Sequence, residues 1–345
     1  MPVASSDTPS TDPMLDERKA AILRAVVEEY IETAQPVGSS AVAPQVQASS
    51  ATVRNDMVTL EQEGYLRQPH TSAGRVPTEK GYRFFVDTIA GPATLGAPQT
   101  QQVRTFFAQA HGELESLLLD TSRLLSDLTH YAAVITAPAA EGATIRSVQL
   151  VGLGPRHALV VVVLSNGSVE KRGVDLPADT GDERLAAATA HLSAHLVGHP
   201  VSAVPDAVAS TGDTSTDTAV AEAVRAIRAE STDEASALYV GGTARMAAAF
   251  DAVDTVREVL SILEQQFVVV TVLRDVLDRG LQVAIGSETG LVPLAECALV
   301  VSPYEVEGER AGTIGVLGPS RMNYPQALAA VAVVSKRLGR HLTEG

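Results

Sequence analysis

The sequence predicts an α+β fold. An N-terminal three-helix unit closed by a β-hairpin is joined to a larger α/β domain, which a mostly helical segment interrupts. Three observations carry this. Apolar residues recur at helical spacing from Leu15 to Leu60 and give way to a Gly-containing turn between two short strands. Gly91 to Gln99 is a Gly/Pro/Ala linker. Beyond it, Val-rich runs typical of buried strands lie on either side of a helical stretch, Ala219 to Asp278.

The bulk properties allow this and exclude other classes. A chain of 345 residues, 45% of them hydrophobic and with a mean hydropathy of +0.12, can fill two or three cores. No apolar run approaches the ~18 residues that span a bilayer. Residues 1–14 are rich in Ser, Thr, Pro and Asp, with neither a basic n-region nor an apolar h-region. They read as a disordered tail, not a signal peptide. The single cysteine, Cys297, excludes an intrachain disulfide framework and a cysteine-cluster zinc site. A cytoplasmic protein with no membrane partner is expected.

In the N-terminal unit, residues 15–90, Asp16 to Thr33 reads as a helix with Leu15, Ile22, Val26, Tyr30 and Ile31 on one face. Gln35-Pro36-Val37-Gly38 breaks it. Ser39 or Ser40 can cap a short second helix, which Pro44 should distort or end early. Ser49 or Ser50 caps a third helix that Gly64 stops, with Val53, Met57 and Leu60 pointing inward. Tyr65-Leu66-Arg67 and Arg75-Val76 form the hairpin strands around Pro69 to Gly74, and Thr78 caps a fourth helix through Phe85. Three helices followed by a hairpin in this order make a winged helix-turn-helix.

Residues 91–136 are the linker and one long helix, expected to run unbroken from Gln101 to Thr129 over ~40 Å. Residues 137–205 bring short strands and a hairpin turn at Ser165-Asn166-Gly167-Ser168, then a helix from Asp182 to Leu196. Residues 206–278 are the helical insertion, with a brief Leu238-Tyr239-Val240 strand. Residues 279–345 return to strands and close on an amphipathic helix. The two β-rich blocks are expected to share one sheet.

The net charge of −15 is no bar to DNA binding, because phosphate contacts need only a local basic patch. Residues 1–90 hold eight Lys/Arg against twelve Asp/Glu. From Gly64 to Arg83, however, Arg67, Arg75, Lys80 and Arg83 face only Glu79, a local +3. On the third helix, burying Val53, Met57 and Leu60 turns Arg54, Asn55 and Thr59 outward, with Ser50 and Thr52 in the first turn. Arg can pair with guanine O6/N7 and Asn with adenine in the major groove, while hydroxyls and helix N-terminal amides suit phosphate. The hairpin, with Arg67, His70, Thr71 and Arg75, would act as a wing on the adjacent backbone or minor groove. An ordinary amphipathic helix with a solvated face is the plainer reading of any one such helix. The order of elements around this one decides against it.

These residues resemble the HrcA-type heat-inducible transcription repressors. The likeness is carried by Pro36-Val37-Gly38-Ser39, Ala51-Thr52-Val53-Arg54-Asn55-Asp56-Met57, Glu63-Gly64-Tyr65-Leu66 and above all Gln68 to Thr78 followed by Lys80-Gly81-Tyr82-Arg83. It returns at Val283 to Glu288 and at Gly312 to Tyr324. The resemblance implies a winged helix, a GAF-like domain and an inserted dimerising domain. It also implies a homodimer on an inverted-repeat (CIRCE-type) operator of chaperone genes, as part of the stress response, with chaperonin as a partner supporting the repressing state. In that frame Arg54 and Asn55 read bases. Ser50, Thr52 and Thr59 support phosphate contact or register, and Arg67, His70, Thr71 and Arg75 belong to the wing.

The remaining features read as structural. Gly241-Gly242-Thr243 lacks P-loop spacing and is a turn with a cap. Gly318-Pro319-Ser320-Arg321 is a turn, and Cys297 a buried inert thiol. His191 and His195 have no acidic or cysteine partner in metal-ligand spacing. No nucleophile elbow or paired-carboxylate motif points to an enzyme, and no cofactor is expected. The competing readings are a metabolite-sensing winged-helix regulator, with a ligand in the GAF-like domain, and an enzyme with a DNA-binding appendage.

Overall fold

Asp16 opens the first helix, α1 (Glu17–Thr33), its Oδ1 accepting a hydrogen bond from the Lys19 amide at 2.9 Å. The computed structural model describes residues 15–70, 73–88, 94–110, 113–138, 143–176, 180–228, 237–250, 253–280 and 282–344. Ile22 and Val26 of α1 are fully buried. α2 (Ser39–Val42) is a single turn that stops two residues before Pro44, since a proline lacks the amide and its ring blocks the preceding turn. α3 (Ser50–Gln62) is capped by Ser49, whose Oγ accepts from the Thr52 amide at 3.1 Å. Gly64, at φ +80°, supplies the left-handed residue after its end. β1 (Leu66–Arg67) and β2 (Val76–Pro77) pair antiparallel. α4 (Glu79–Thr88) follows, with the Thr78 hydroxyl accepting from the Gly81 amide at 3.2 Å and donating to the Gly64 carbonyl at 2.6 Å.

This first compact unit also takes in Ile285–Ala298 and Pro319–Pro325. Tyr324 is fully buried there, its ring centroid 6.0 Å from that of Tyr82 and 6.5 Å from that of Phe85. Glu288 holds the Arg83 guanidinium with both oxygens, Nε to Oε1 at 2.9 Å, and accepts from its own Ile285 amide at 2.9 Å. Glu79 accepts from the Ser287 amide at 3.1 Å and from its hydroxyl at 2.6 Å. The apolar face of α4 is thus covered by residues from the far end of the chain, and the cover is fastened by two carboxylates.

The second unit begins with α5 (Ala97–Gln109) and α6 (Leu114–Thr129). The single helix expected from Gln101 to Thr129 is therefore two. Ala110 is extended (ψ 113°) and Glu113 starts afresh as an N-cap. The sequence offers a reason in Gly112, which costs a helix interior about 1 kcal/mol. After β3 (Ala132–Thr136) the chain forms β4 (Ile145–Gly154), β5 (His157–Leu164), β6 (Val169–Asp175), α7 (Asp182–Leu196) and α8 (Thr214–Arg228). It then makes β7 (Leu238–Gly241), α9 (Thr243–Ala249), α10 (Val253–Glu264) and α11 (Gln266–Asp278). β8 (Val283–Ile285), β9 (Cys297–Val306), β10 (Glu309–Pro319) and α12 (Tyr324–Glu344) follow, apart from the residues at their ends that belong to the first unit.

Two separate sheets result, in the orders β7-β3-β10-β9-β8 and β4-β5-β6. The expectation that the β-rich blocks before and after the helical stretch share one sheet is corrected. The strands from 145 to 175 are consecutive hairpins that close on one another, Val148 opposite Val162 and Val162 opposite Glu170. They bury Val148, Val160, Val162 and Leu164 in a core with Leu185, Leu192, Ala223 and Ile227 from α7 and α8. β3 lies instead between β7 and β10, with Val134 opposite Val240 on one side and Gly315 on the other. Apolar runs announce a strand but not its sheet.

Candidate nucleic-acid interface

On α3 the core face comprises Val53, Asp56, Met57 and Leu60, all buried. Asp56 is the exception to an apolar core, and Arg18 of α1 accounts for it: Nε reaches Oδ2 at 2.8 Å and Nη2 reaches Oδ1 at 3.3 Å. That hydrogen bond raises the Arg18 pKa above its ordinary value. A buried carboxylate is costly without its partner, so the pair fixes the rotation of α3 on α1. Ser50 Oγ lies 2.9 Å from Ser39 Oγ of α2, joining the two helices at the turn between them. Thr52 Oγ1 is 2.8 Å from the Ser49 cap, and the Thr59 hydroxyl donates to the Asn55 carbonyl at 3.3 Å. Arg54 and Asn55 are exposed on the opposite stripe, together with Ala51, Val58 and Gln62.

The wing is anchored twice. Val37 and Arg75 exchange both backbone hydrogen bonds at 2.9 Å, adding a third rung beside the β1–β2 pair. Gly74 makes this approach possible, because a Cβ there would lie 2.4 Å from the Val37 carbonyl oxygen. The Arg75 side chain crosses to α3, with Nε at 3.0 Å and Nη2 at 2.9 Å from Glu61 Oε2. Arg67 and His70 are exposed on the wing, and Thr71 lies outside the described residues.

The +3 segment is therefore less positive to a partner than its sequence suggests. Arg75 is neutralised by Glu61, and Arg83 by Glu288 and Asp87. Lys80 sits with its Nζ 4.3 Å from the Tyr65 ring centroid. Among the described residues, no hydrogen bond or ion pair engages the Arg54 or Arg67 side chains. Arg54 on the helix and Arg67 on the wing are thus exposed cations with no carboxylate partner among the described residues. Sequence reasoning missed Arg18, Asp56 and Glu61 as positioning groups. Spacing did hold a signal for Asp56, which falls on the core stripe between Val53 and Leu60.

Elsewhere Cys297 is fully buried, and burial first and Glu296 second push its thiol up to about 12. The ring centroids of His191 and His195 lie 4.3 Å apart at a tilt of 43°, and His191 Nε2 lies 2.7 Å from the Ala209 carbonyl. Among the described residues no helix is long and apolar enough to cross a membrane.

Comparison with known proteins agrees with this geometry. Residues 14–89 match the family model described as the winged helix-turn-helix transcription repressor, HrcA DNA-binding, and residues 115–328 match the HrcA protein C-terminal domain. The chain is similar to the heat-inducible transcription repressor HrcA of Streptomyces avermitilis, 38% identical over 96% of this chain and 100% of that one. Its likeness to the HrcA repressors of Acidothermus cellulolyticus and Cutibacterium acnes is 39% at the same coverage. In fold it resembles a solved structure described as a hypothetical protein, with a TM-score of 0.66 at 23% identity, covering 96% of this chain and 99% of that one. With the family models spanning most of the chain and the relatives 96% of it, the chain belongs to the HrcA family of heat-inducible transcription repressors, DNA-binding regulators rather than enzymes.

Proposed function

We propose that this chain represses chaperone operons as a cytoplasmic homodimer bound to an inverted-repeat, CIRCE-type operator, with chaperonin supporting the repressing state. The observation that carries the DNA-reading part is the pair Arg54 and Asn55, exposed and uncommitted on a helix whose rotation is fixed by Arg18 and Asp56. Arg54 and Asn55 would read base edges. Arg67, His70 and Thr71 would follow the backbone from the wing. Arg75, Ser50 and Thr52, whose polar groups are taken up inside the head, would position it. The metabolite-sensing alternative has no observation in its favour.

An inverted repeat needs two reading heads related by a two-fold axis. The outward face of the three-stranded sheet supports self-association. Leu159, Val161 and Val163 form a half-buried central row, with Val151 opposite Leu159 and Val169 opposite Val163, both exposed. On this reading the dimerising layer lies within residues 143–227 rather than 206–278. It would interrupt a GAF-like domain between β3 and β7, which pair across the interruption. The chaperonin partner rests on the family resemblance.

A gel shift with an inverted repeat from a chaperone promoter tests the reading, run with and without chaperonin and alongside sedimentation of the free protein. The expected result is one two-to-one complex, strengthened by chaperonin, and a dimer that Val161→Asp splits. A one-to-one complex, or indifference to the second half-site, would overturn it.

A further inference from the structure

Val58 is an apolar residue on the exposed stripe. It lies on α3, where the other large apolar side chains, Val53, Met57 and Leu60, are at most 1% exposed, yet Val58 is 37% exposed. At 100° per residue it stands roughly 150° around the helix from that core face. This puts it in the middle of the outward stripe, three residues after Asn55 and four after Arg54, between the two. A single apolar residue on a surface needs no explanation by itself. Stability, however, gives no reason for this one. A β-branched side chain loses rotamer freedom in a helix, and Ala, Lys or Gln would serve an exposed helical site better.

We propose that Val58 is a specificity-determining residue that packs against the C5-methyl group of a thymine in the operator. In the major groove that methyl is the one apolar feature among the base edges, and apolar side chains recognise it by contact. Arg54 and Asn55 would then supply polar contacts on either side of an apolar one, and the helix would read three adjacent positions. The proposal rests on α3 being the reading helix.

The test uses the full chain and a duplex it selects itself from a random-sequence library, so no operator need be assumed. Each thymine of the selected half-site is replaced in turn by deoxyuridine, which removes the methyl and keeps every base-pairing group. At one position the wild-type chain is expected to lose about three- to fivefold in affinity, the worth of one buried methyl group. Val58→Ala should bind the unmodified duplex correspondingly less well and show no further loss with deoxyuridine there. Because Val58 is exposed and Ala is the better helix former, this substitution should not lower the melting temperature. The proposal is overturned if no single deoxyuridine weakens the wild type, or if Val58→Ala responds to deoxyuridine as the wild type does. Arg54→Ala on the same duplex separates the two failures. If it loses affinity while deoxyuridine has no effect, α3 reads DNA without Val58; if neither matters, the reading helix itself is misassigned.

Discussion

Arg75 of the wing and Glu61 of α3 are joined through a single carboxylate oxygen, Oε2, which takes both Nε and Nη2 of the guanidinium at about 3 Å. That ion pair ties the wing to α3, and on the proposed reading it fixes the angle between the two elements that would face DNA. Arg75→Ala and Glu61→Gln should each weaken operator binding about three- to tenfold, and the double variant should be no worse than the poorer single one. The slope of log K against log salt should not change. A phosphate-contacting Arg75 would behave differently. Its loss would flatten that slope by about 0.9, and Glu61→Gln would strengthen binding.

Gly74 and Gly64 are needed for different reasons, and alanine separates them. At Gly74 the new Cβ would strike the Val37 carbonyl oxygen. Gly74→Ala should therefore displace the wing and remove most operator affinity. At Gly64 there is open space, and only the left-handed backbone resists. Gly64→Ala should cost about 1–2 kcal/mol of stability in urea denaturation, Gly64→Asn less, and the folded fraction should bind normally.

Tyr324 joins the C-terminal segments to the reading head. Tyr324→Ala empties a fully buried site against Tyr82 and Phe85 and should destabilise the chain by about 3–5 kcal/mol. Tyr324→Phe keeps the ring and loses the hydroxyl's hydrogen bond to the Ser320 carbonyl, 2.6 Å, and should cost about 1 kcal/mol. Urea titrations of the full chain measure both. Equal effects would show that the ring carries no packing.

Cys297 offers a check on the core. A fully buried thiol raised to about 12 is protonated at neutral pH and shielded from reagents. A disulfide reagent should find no reactive thiol in the native protein and one after denaturation. Prompt labelling at pH 8 would contradict the buried placement.

What the sequence made legible was local. The Ser49 cap, the Gly64 stop, the short helix ahead of Pro44 and the two wing strands all follow from a few neighbouring residues. What it hid was pairing at a distance. Counting charges from Gly64 to Arg83 gives +3, but Glu61 lies outside that window and Glu288 lies 205 residues from Arg83. The same blindness joined β4–β6 to the wrong sheet, because Val-rich runs look alike wherever they pair. The break between α5 and α6 was missed for the opposite reason. The apolar stripe continues across it, and periodicity outweighed one glycine. On α3, the exposure of Arg54 and Asn55 was legible from helical phase, whereas the ion pairs that hold that helix were not.

Fluorescence anisotropy of the full chain on a labelled chaperone-promoter inverted repeat and on a scrambled duplex, at one fixed salt concentration, tests the central claim most directly. If α3 reads the operator through Arg54, the wild type should prefer the repeat by at least about a thousandfold. Arg54→Ala should lose about 1–3 kcal/mol on the repeat, with little change on the scrambled sequence. Equal losses on both duplexes, or none on the repeat, would contradict it.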